Sequence, residues 1–486
     1  MTGDPLAGKR DRLSYMPSLT RTKSIAELIS ASEAHSGRLR RHLGLWSLVA
    51  LGIGSVIGAG IFAFTGTAAA GTPDRPGAGP GIALSFVLVA VACGFAALCY
   101  GELASMIPVA GSAYTYAYAT MGEIFAWIIG WDLILEYAVS NMAVAVGFSA
   151  YFNDLLDNVF GYHLPFALSN PVFAGGVATG AIFNLPAFVL MMLLTWLLVL
   201  GVKESAQANN WMVVIKIAAI LAFVIGAARA VNPANWHPFM PNGFPGVLSG
   251  GAIVFFTYIG FDSVSTAAEE CDRPQRNMPL AIMITLGACA ILYAAVALVL
   301  TGIARWDTLN NAAPVANALK ALGFNRLRFI VTVGALLGMI SSLLVFQYGQ
   351  ARIWFAMSRD RLLPGLFSRL HPKYETPHVS TWIAGFVVGI PAGILDIGTL
   401  GDLTNIGTLF AFVVVSAAVI ILRRKQPRYP RGFRVPWVPF LPLLSMGCCL
   451  VLMLSLPLET WIRFVVWLVI GLAIYFLYGR KRTATV

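Results

Sequence analysis

From its amino terminus the chain is polar and basic as far as Gly44, and then becomes a succession of apolar runs of near twenty residues divided by short polar connections. A helix needs about 20 apolar residues to cross the hydrocarbon of a bilayer. Within lipid, every backbone N–H and C=O must be satisfied internally, which leaves helices or closed barrels. The runs are continuous and do not alternate with period two, so they read as helices. The pattern predicts about twelve spans, over residues 45–70, 81–107, 124–150, 185–202, 210–230, 246–268, 278–303, 329–357, 381–395, 403–422, 435–456 and 461–478. The ninth contains Pro391 and the eleventh several prolines, which break helices.

Composition turns this pattern into a class. Of 486 residues 58% are hydrophobic and 11% charged, against about 45–50% and about 25% in soluble domains. Residues 1–44 carry no apolar run that would make a signal peptide, so they read as a cytoplasmic tail. The six cysteines, Cys93, Cys99, Cys271, Cys289, Cys448 and Cys449, lack metal-ligand spacing and read as small buried hydrophobes. No cofactor is expected.

The net charge of +11 could indicate nucleic acid, but topology explains it better. With the amino terminus inside, cytoplasmic segments and span ends collect 25 of the 33 lysines and arginines, outer segments and span ends keep seven, and Lys216 remains inside a span. That is the bias expected of a protein in the cytoplasmic membrane. Two basic termini on one side also require an even number of spans. The expected partners are therefore membrane lipid, including anionic lipid at the inner surface, and not nucleic acid. Residues 24–43 could form a basic amphipathic helix on that surface or remain a disordered tail.

Glycines interrupt two spans. The first contains Gly52, Gly54, Gly58 and Gly60 in GIGSVIGAGIF. Glycine costs a helix about 1 kcal/mol relative to alanine. Either local unwinding or close packing through small residues accounts for this segment alone. The sixth span follows Pro245 with Gly246, Gly250 and Gly251, then reads FFTYIGFDSVSTAAEE, placing Gly260 beside the ionisable Asp262. Gly-interrupted helices in corresponding positions of two halves point to a transporter site. Half-helix N–H groups suit a carboxylate and freed carbonyls suit an ammonium, so an amino acid can be held by backbone alone.

GIGSVIGAGIF, FFTYIGFDSVSTAAEE followed by CDRPQRNMP, GQARIWFAMSRDRLLP and TNIGTLFAF together resemble the amino acid–polyamine–organocation superfamily, nearest its cationic amino acid transporter family and that family's bacterial proton-coupled permeases. The resemblance runs over residues 43–481. It implies an all-α, leucine-transporter-like fold, with five helices over 45–230, an inverted five over 246–422, two more over 435–479 and a cytoplasmic tail over 480–486. It implies that backbone N–H groups of Ala59, Gly60 and Ile61 meet the substrate carboxylate, and that carbonyls of Val56, Phe256 and Ile259 receive its ammonium. Gly58, Gly260 and Asp262 would support the breaks. Some relatives carry a hydroxyl where this chain has Ala59. The resemblance leaves room for a small single-span accessory subunit, and the oligomeric state is not legible.

Charged residues within spans carry the remaining expectations. Lys216 lies in NNWMVVIKIAAI, where a lysine could snorkel to the inner interface. Relatives with lysine here resemble proton-coupled carriers whose ammonium replaces a sodium ion. An ammonium stripped of water releases its proton more readily, so the resemblance makes Lys216 the proton-coupling residue. Asp132 and Glu136 lie four apart on one helix face. Glu136 matches a site-lining position and could hold a proton, receive a cationic group or bond a neighbouring helix. Asp262 is expected to meet backbone N–H groups at the break or a polar neighbour, with direct substrate contact as the other alternative. Glu102, Glu269 and Glu270 fall near inner ends of spans, open to pairing with loop arginines or to plain solvation. Phe346 and Gln347 occur where the family lines the side-chain pocket; a phenylalanine there favours small or neutral substrates over arginine.

The six histidines sit in tails and loops, so no intramembrane catalytic or metal constellation is expected. A channel would want a filter motif or charged ring, and neither is seen. A membrane nutrient sensor, an amino-acid or polyamine exchanger and sodium coupling stay open as alternatives to proton-coupled import.

Overall fold

The computed structural model describes residues 22–35, 43–72, 75–109, 111–200, 205–311, 313–374 and 376–480. In chain order its apolar helices are α1 (Leu45–Ala70), α2 (Gly79–Met106), α3 (Glu123–Phe160), α4 (Leu185–Leu200), α5 (Asn209–Ala230), α6 (Gly243–Ala268), α7 (Pro274–Ile303), α8 (Asn325–Arg359), α9 (His378–Ala392), α10 (Leu400–Lys425), α11 (Phe440–Leu454) and α12 (Leu458–Gly479). Among the described residues nine of these are long and apolar enough to cross a membrane, while α4, α9 and α11 are shorter. Large apolar side chains stand exposed along α5 (Trp211, Val214, Ile225) and along α11 and α12 (Leu454, Leu458, Leu477). Water would penalise such a surface and lipid does not. The chain is a multi-pass membrane protein.

The departures from the expected spans have local causes. α3 has 38 residues, about 57 Å at 1.5 Å per residue. It runs ten residues beyond the expected end, through a mixed segment that carries Asn153, Asp154 and Asp157 among apolar residues. α11 starts at Phe440, because Pro436 and Pro439 cannot continue a helix from residue 435. Pro391 falls in the last turn of α9, where it ends the helix. The close of the expected fourth span, after Leu200, lies outside the described residues.

α3 forms the centre, packed against α8 and α10; α2 packs on α7, α4 on α9, and α5 on α8. α1 touches α5, α7, α8 and the second half of α6. These contacts bring the two glycine-rich helices together between α3 and α8.

The segment before α1 forms a helix, Ile25–His35, where amphipathic helix and disordered tail had both stood open. Ser24 and Glu27 cap it reciprocally: each backbone N–H donates to the other's side chain, at 2.9 and 3.1 Å. Ile25 and Leu28 are buried, and Lys23 Nζ donates to Asp360 at 2.7 Å. Residues 36–42 of that expectation lie outside the described residues.

Of the two alternatives for Glu102, the structure shows pairing with the arginines and not plain solvation, since its side chain is 1% exposed. It accepts from Arg423 Nε and Nη2 at 2.7 Å each, from Arg431 Nε at 3.0 Å and from the Val435 N–H at 2.7 Å. A buried carboxylate survives only when paired and fully hydrogen-bonded; this one clamps α2 to α10 and to the approach to α11. The side chains of Glu269 and Glu270 lie outside the described residues.

Candidate functional site

Both glycine-rich helices are broken at the same depth. In α1 the α-helix stops at Val56 and a π-helical turn resumes at Gly60. In α6 it stops at Val254, passes through one 3-10 turn, and resumes as 3-10 helix after Gly260. Gly260 sits at φ +114°, which residues with a side chain rarely adopt, and an added Cβ would lie 3.1 Å from Ser55 Cβ. At Gly60 the requirement is proximity, since a Cβ there would lie 2.7 Å from the Thr257 Cα. The two backbones cross in contact, and glycine permits the crossing.

A cavity of about 10 Å³ lies at this crossing, lined by Ser55, Val56, Gly58, Ala59 and Gly60 of α1, Phe256 and Ile259 of α6, Ser140 and Val144 of α3, and Ser342 and Phe346 of α8. That volume corresponds to about one water-sized probe, so the walls are contracted. Seven of the expected site residues converge here: Val56, Gly58, Ala59, Gly60, Phe256, Ile259 and Phe346. Ile61 is buried next to the cavity but outside its lining. The Val56 carbonyl already accepts from Tyr293 Oη at 3.0 Å and from the Gly58 N–H at 3.1 Å. A carbonyl has two lone pairs, so Val56 must exchange a partner before it can receive an ammonium.

Sequence reasoning missed Ser55, Ser140, Val144 and Ser342. Helical spacing could have found three of them: Ser140 and Val144 stand four and eight residues after Glu136, and Ser342 four before Phe346. Ser342 Oγ donates to the Ser55 carbonyl at 2.9 Å, and Ser55 Oγ donates to the Gly260 carbonyl at 2.8 Å, tying α8, α1 and α6 together. Ser140 is different. It is fully buried, it lines the cavity, and its hydroxyl has no partner among the described residues. It faces the site with the kind of group that Ala59 lacks.

Lys216 does not snorkel. It is fully buried on α5, and its Nζ donates to the carbonyls of Gly54 and Ile57 at 2.8 and 2.9 Å. Those carbonyls belong to the broken stretch of α1, so the ammonium supplies donors that the interrupted helix cannot. An added Cβ on Gly338 of α8 would lie 3.3 Å from Lys216 Cδ, so the lysine stem runs along that glycine.

Glu136 is not in the cavity wall. It lies one turn along α3 from Ser140, near Thr408, and among the described residues the side-chain oxygens of Asp132, one turn further, have no hydrogen-bond partner. Asp132 faces α10, where an added Cβ on Gly407 would be 2.8 Å away. The hydroxyls of Tyr100 and Tyr137 nearby are also buried, without hydrogen-bond partners among the described residues. An unpaired carboxylate costs a great deal to bury ionised, so this cluster calls for protons or water. Asp262 is buried beside the Gly260 break, and among the described residues its Oδ1 has no hydrogen-bond partner. Gln347 corrects the expectation that it lines the pocket beside Phe346. Successive helical residues lie about 100° apart, and Gln347 points to Asn141, Thr195 and the Thr381 carbonyl. Phe346 meets the Tyr137 ring edge to face, with centroids 5.4 Å apart.

Comparison with known proteins gives this geometry a family. An amino acid permease family model matches residues 43–476. The methylthioribose transporter of Bacillus subtilis (strain 168) is 49% identical over 468 residues, spanning 96% of this chain and 99% of that protein. The branched-chain amino acid permease BcaP of the same organism is 49% identical over 471 residues, spanning 96% and 98%. The chloroplastic cationic amino acid transporter 9 of Arabidopsis thaliana is 34% identical over 538 residues, spanning 96% and 93%. With its two broken helices inside the matched region and the match running across almost all of the chain, this protein belongs to the amino acid permease family.

Proposed function

We propose that this amino acid permease imports neutral amino acids together with protons across the cytoplasmic membrane, by alternating access around broken helices α1 and α6. The observation that carries the reading is the Lys216 ammonium seated on the Gly54 and Ile57 carbonyls of the α1 break, directly behind the cavity. Protonated, Lys216 donates to both carbonyls and holds the broken stretch in place. After proton loss the charge is gone and that hold weakens, which frees α1 to move. A proton taken up outside and released inside would then accompany each substrate.

Substrate recognition divides between backbone and side chains. The N–H groups of Ala59, Gly60 and Ile61 at the resumed α1 helix favour the carboxylate, as any helix start does. The carbonyls of Phe256 and Ile259, with Val56 after a change of partner, favour the ammonium. Ser140 adds a hydroxyl, while Phe346, Val144 and Phe256 bound the side chain. No charged residue lines the cavity, and Glu136 lies a turn away, so nothing there balances a guanidinium. This favours neutral substrates such as branched-chain amino acids, the class named for one of the relatives.

Two five-helix repeats over 45–230 and 246–422 fit the packing. Under that pairing α3 on α10 is mirrored by α8 on α5, while α2 on α7, α3 on α8 and α4 on α9 each join counterparts. With α11, α12 and the basic termini inside, the full count is twelve spans.

A second reading has its own support. A relative of equal identity is named for methylthioribose, and the absence of charge in the cavity wall suits an uncharged solute too. Uptake into proteoliposomes of leucine, alanine, arginine and methylthioribose, with an imposed pH or sodium gradient, separates the readings. Leucine accumulation driven by an inward proton gradient and lost in Lys216→Met supports the proposal. Methylthioribose uptake alone, or wild-type pH-driven uptake by Lys216→Ala, would refute it.

A further inference from the structure

A second and larger cavity, of about 240 Å³, opens along α3 away from the central site. Val146, Ala150, Asn153, Asp154 and Asp157 of α3 line one side. The short helix Pro314–Ala321 contributes Asn317 and Lys320, the start of α8 contributes Arg328, and the α3–α4 connection contributes His163. By the lysine and arginine bias this is the outer face, and the short helix packs directly on the π-helical turn of α1. The space suits a small metabolite, being many times larger than a water's share of about 30 Å³.

The polar inventory decides what fits. Arg328 has a 4% exposed side chain. Its Nε and Nη2 donate to Asp154, and Nη2 also donates to Asp157 at 2.7 Å. The other Asp154 oxygen accepts from Thr332 Oγ1 at 2.8 Å. Asp157 accepts from Lys320 Nζ at 2.7 Å and pairs with His163 Nε2 at 2.9 Å. Both carboxylates are therefore spent on their own cations, and they fix the guanidinium in place. Left over are donors: Arg328 Nη1, which makes no hydrogen bond to the described residues, and the remaining N–H bonds of the half-exposed Lys320. A rigid guanidinium edge with an ammonium beside it recognises a carboxylate. Asn317 gives its Nδ2 to Asn311 at 2.7 Å, leaving its amide oxygen free to accept from a cation on the same guest.

We propose that this cavity is an outer capture site for the carboxylate of an incoming zwitterionic amino acid, loaded before the contracted central site opens. The inference rests on the amino-acid reading above. It adds a subsite where Arg328, Lys320 and Asn317 raise the rate of substrate capture without setting the central affinity.

The test is initial-rate uptake of L-leucine into proteoliposomes by wild type, Ala150→Phe, which fills the cavity with an apolar ring, and Lys320→Gln, which removes the ammonium charge. Arg328→Gln is avoided as the primary variant, since it strands two buried carboxylates. The expected result is a kcat/KM at least fivefold lower in both variants, with kcat within twofold of wild type. In wild type kcat/KM should also fall more steeply with ionic strength than in Lys320→Gln. Unchanged kcat/KM in both variants, or a loss confined to kcat, overturns the capture site while leaving amino-acid import intact. If wild type takes up methylthioribose and no amino acid, both readings fall.

Discussion

Ser140 puts a buried hydroxyl without a partner among the described residues on the wall of a cavity whose other serines are already engaged. A hydrogen bond gained there by substrate is worth about 0.5–1.5 kcal/mol, or more to a charged group. Ser140→Ala should therefore raise KM for leucine about five- to tenfold with little change in expression, as read by initial-rate uptake. Phe346 sets a different property. Its ring closes the cavity between Tyr137 and the Gly260 backbone. Truncation to alanine opens space, and a pocket discriminates by about 1–3 kcal/mol per methylene. Phe346→Ala should shift kcat/KM toward phenylalanine over alanine by at least tenfold in a competition assay. Gly260 admits no such tuning, because its φ of +114° and its contacts with Ser55 and Phe346 exclude a side chain. Gly260→Ala should lower thermal stability by about 1–3 kcal/mol, the cost of a residue held in a strained backbone region.

The helices were legible where their signal is local. Apolar runs gave spans, and paired glycines beside Asp262 gave the two breaks, because unwinding is a property of the backbone sequence itself. Long-range partners were harder. Pairing and solvation both stood open for Glu102, because its three charged and backbone partners come from residues more than 300 positions away. Ser140 and Ser342 are ordinary helix residues until α3 and α8 are packed against α1. Gln347 was assigned with its neighbour Phe346, although one step along a helix turns a side chain to another face. The Glu102 clamp gives a prediction for these elements. Removing one partner of a buried ion pair costs about 3–5 kcal/mol, since the other charge is stranded, and Arg431 is as buried as Glu102. Glu102→Ala should lower the unfolding temperature in detergent far more than Glu459→Ala, whose carboxylate pairs at the surface with Arg463.

For the whole molecule, the connections that the sequence predicts on one side of the membrane carry most of the lysines and arginines, and that side must be cytoplasmic for the proposed proton scheme to run inward. The hairpin around Gly175, in the α3–α4 connection, falls on the side predicted to be less basic, and a Cβ added at that glycine would meet open space. Arg428, between α10 and α11, lies on the basic side with no structural partner among the described residues. The native cysteines are all free and, apart from half-buried Cys448, buried, so a variant with Cys448→Ser gives a low background. In that variant, intact cells carrying Gly175→Cys should react with a membrane-impermeant maleimide, and cells carrying Arg428→Cys should react only after permeabilisation. The reverse pattern would put the termini outside. The donor-lined cavity at Arg328 would then face the cytoplasm, where it could not capture substrate for import, and the Lys216 proton cycle would have to run in the opposite sense.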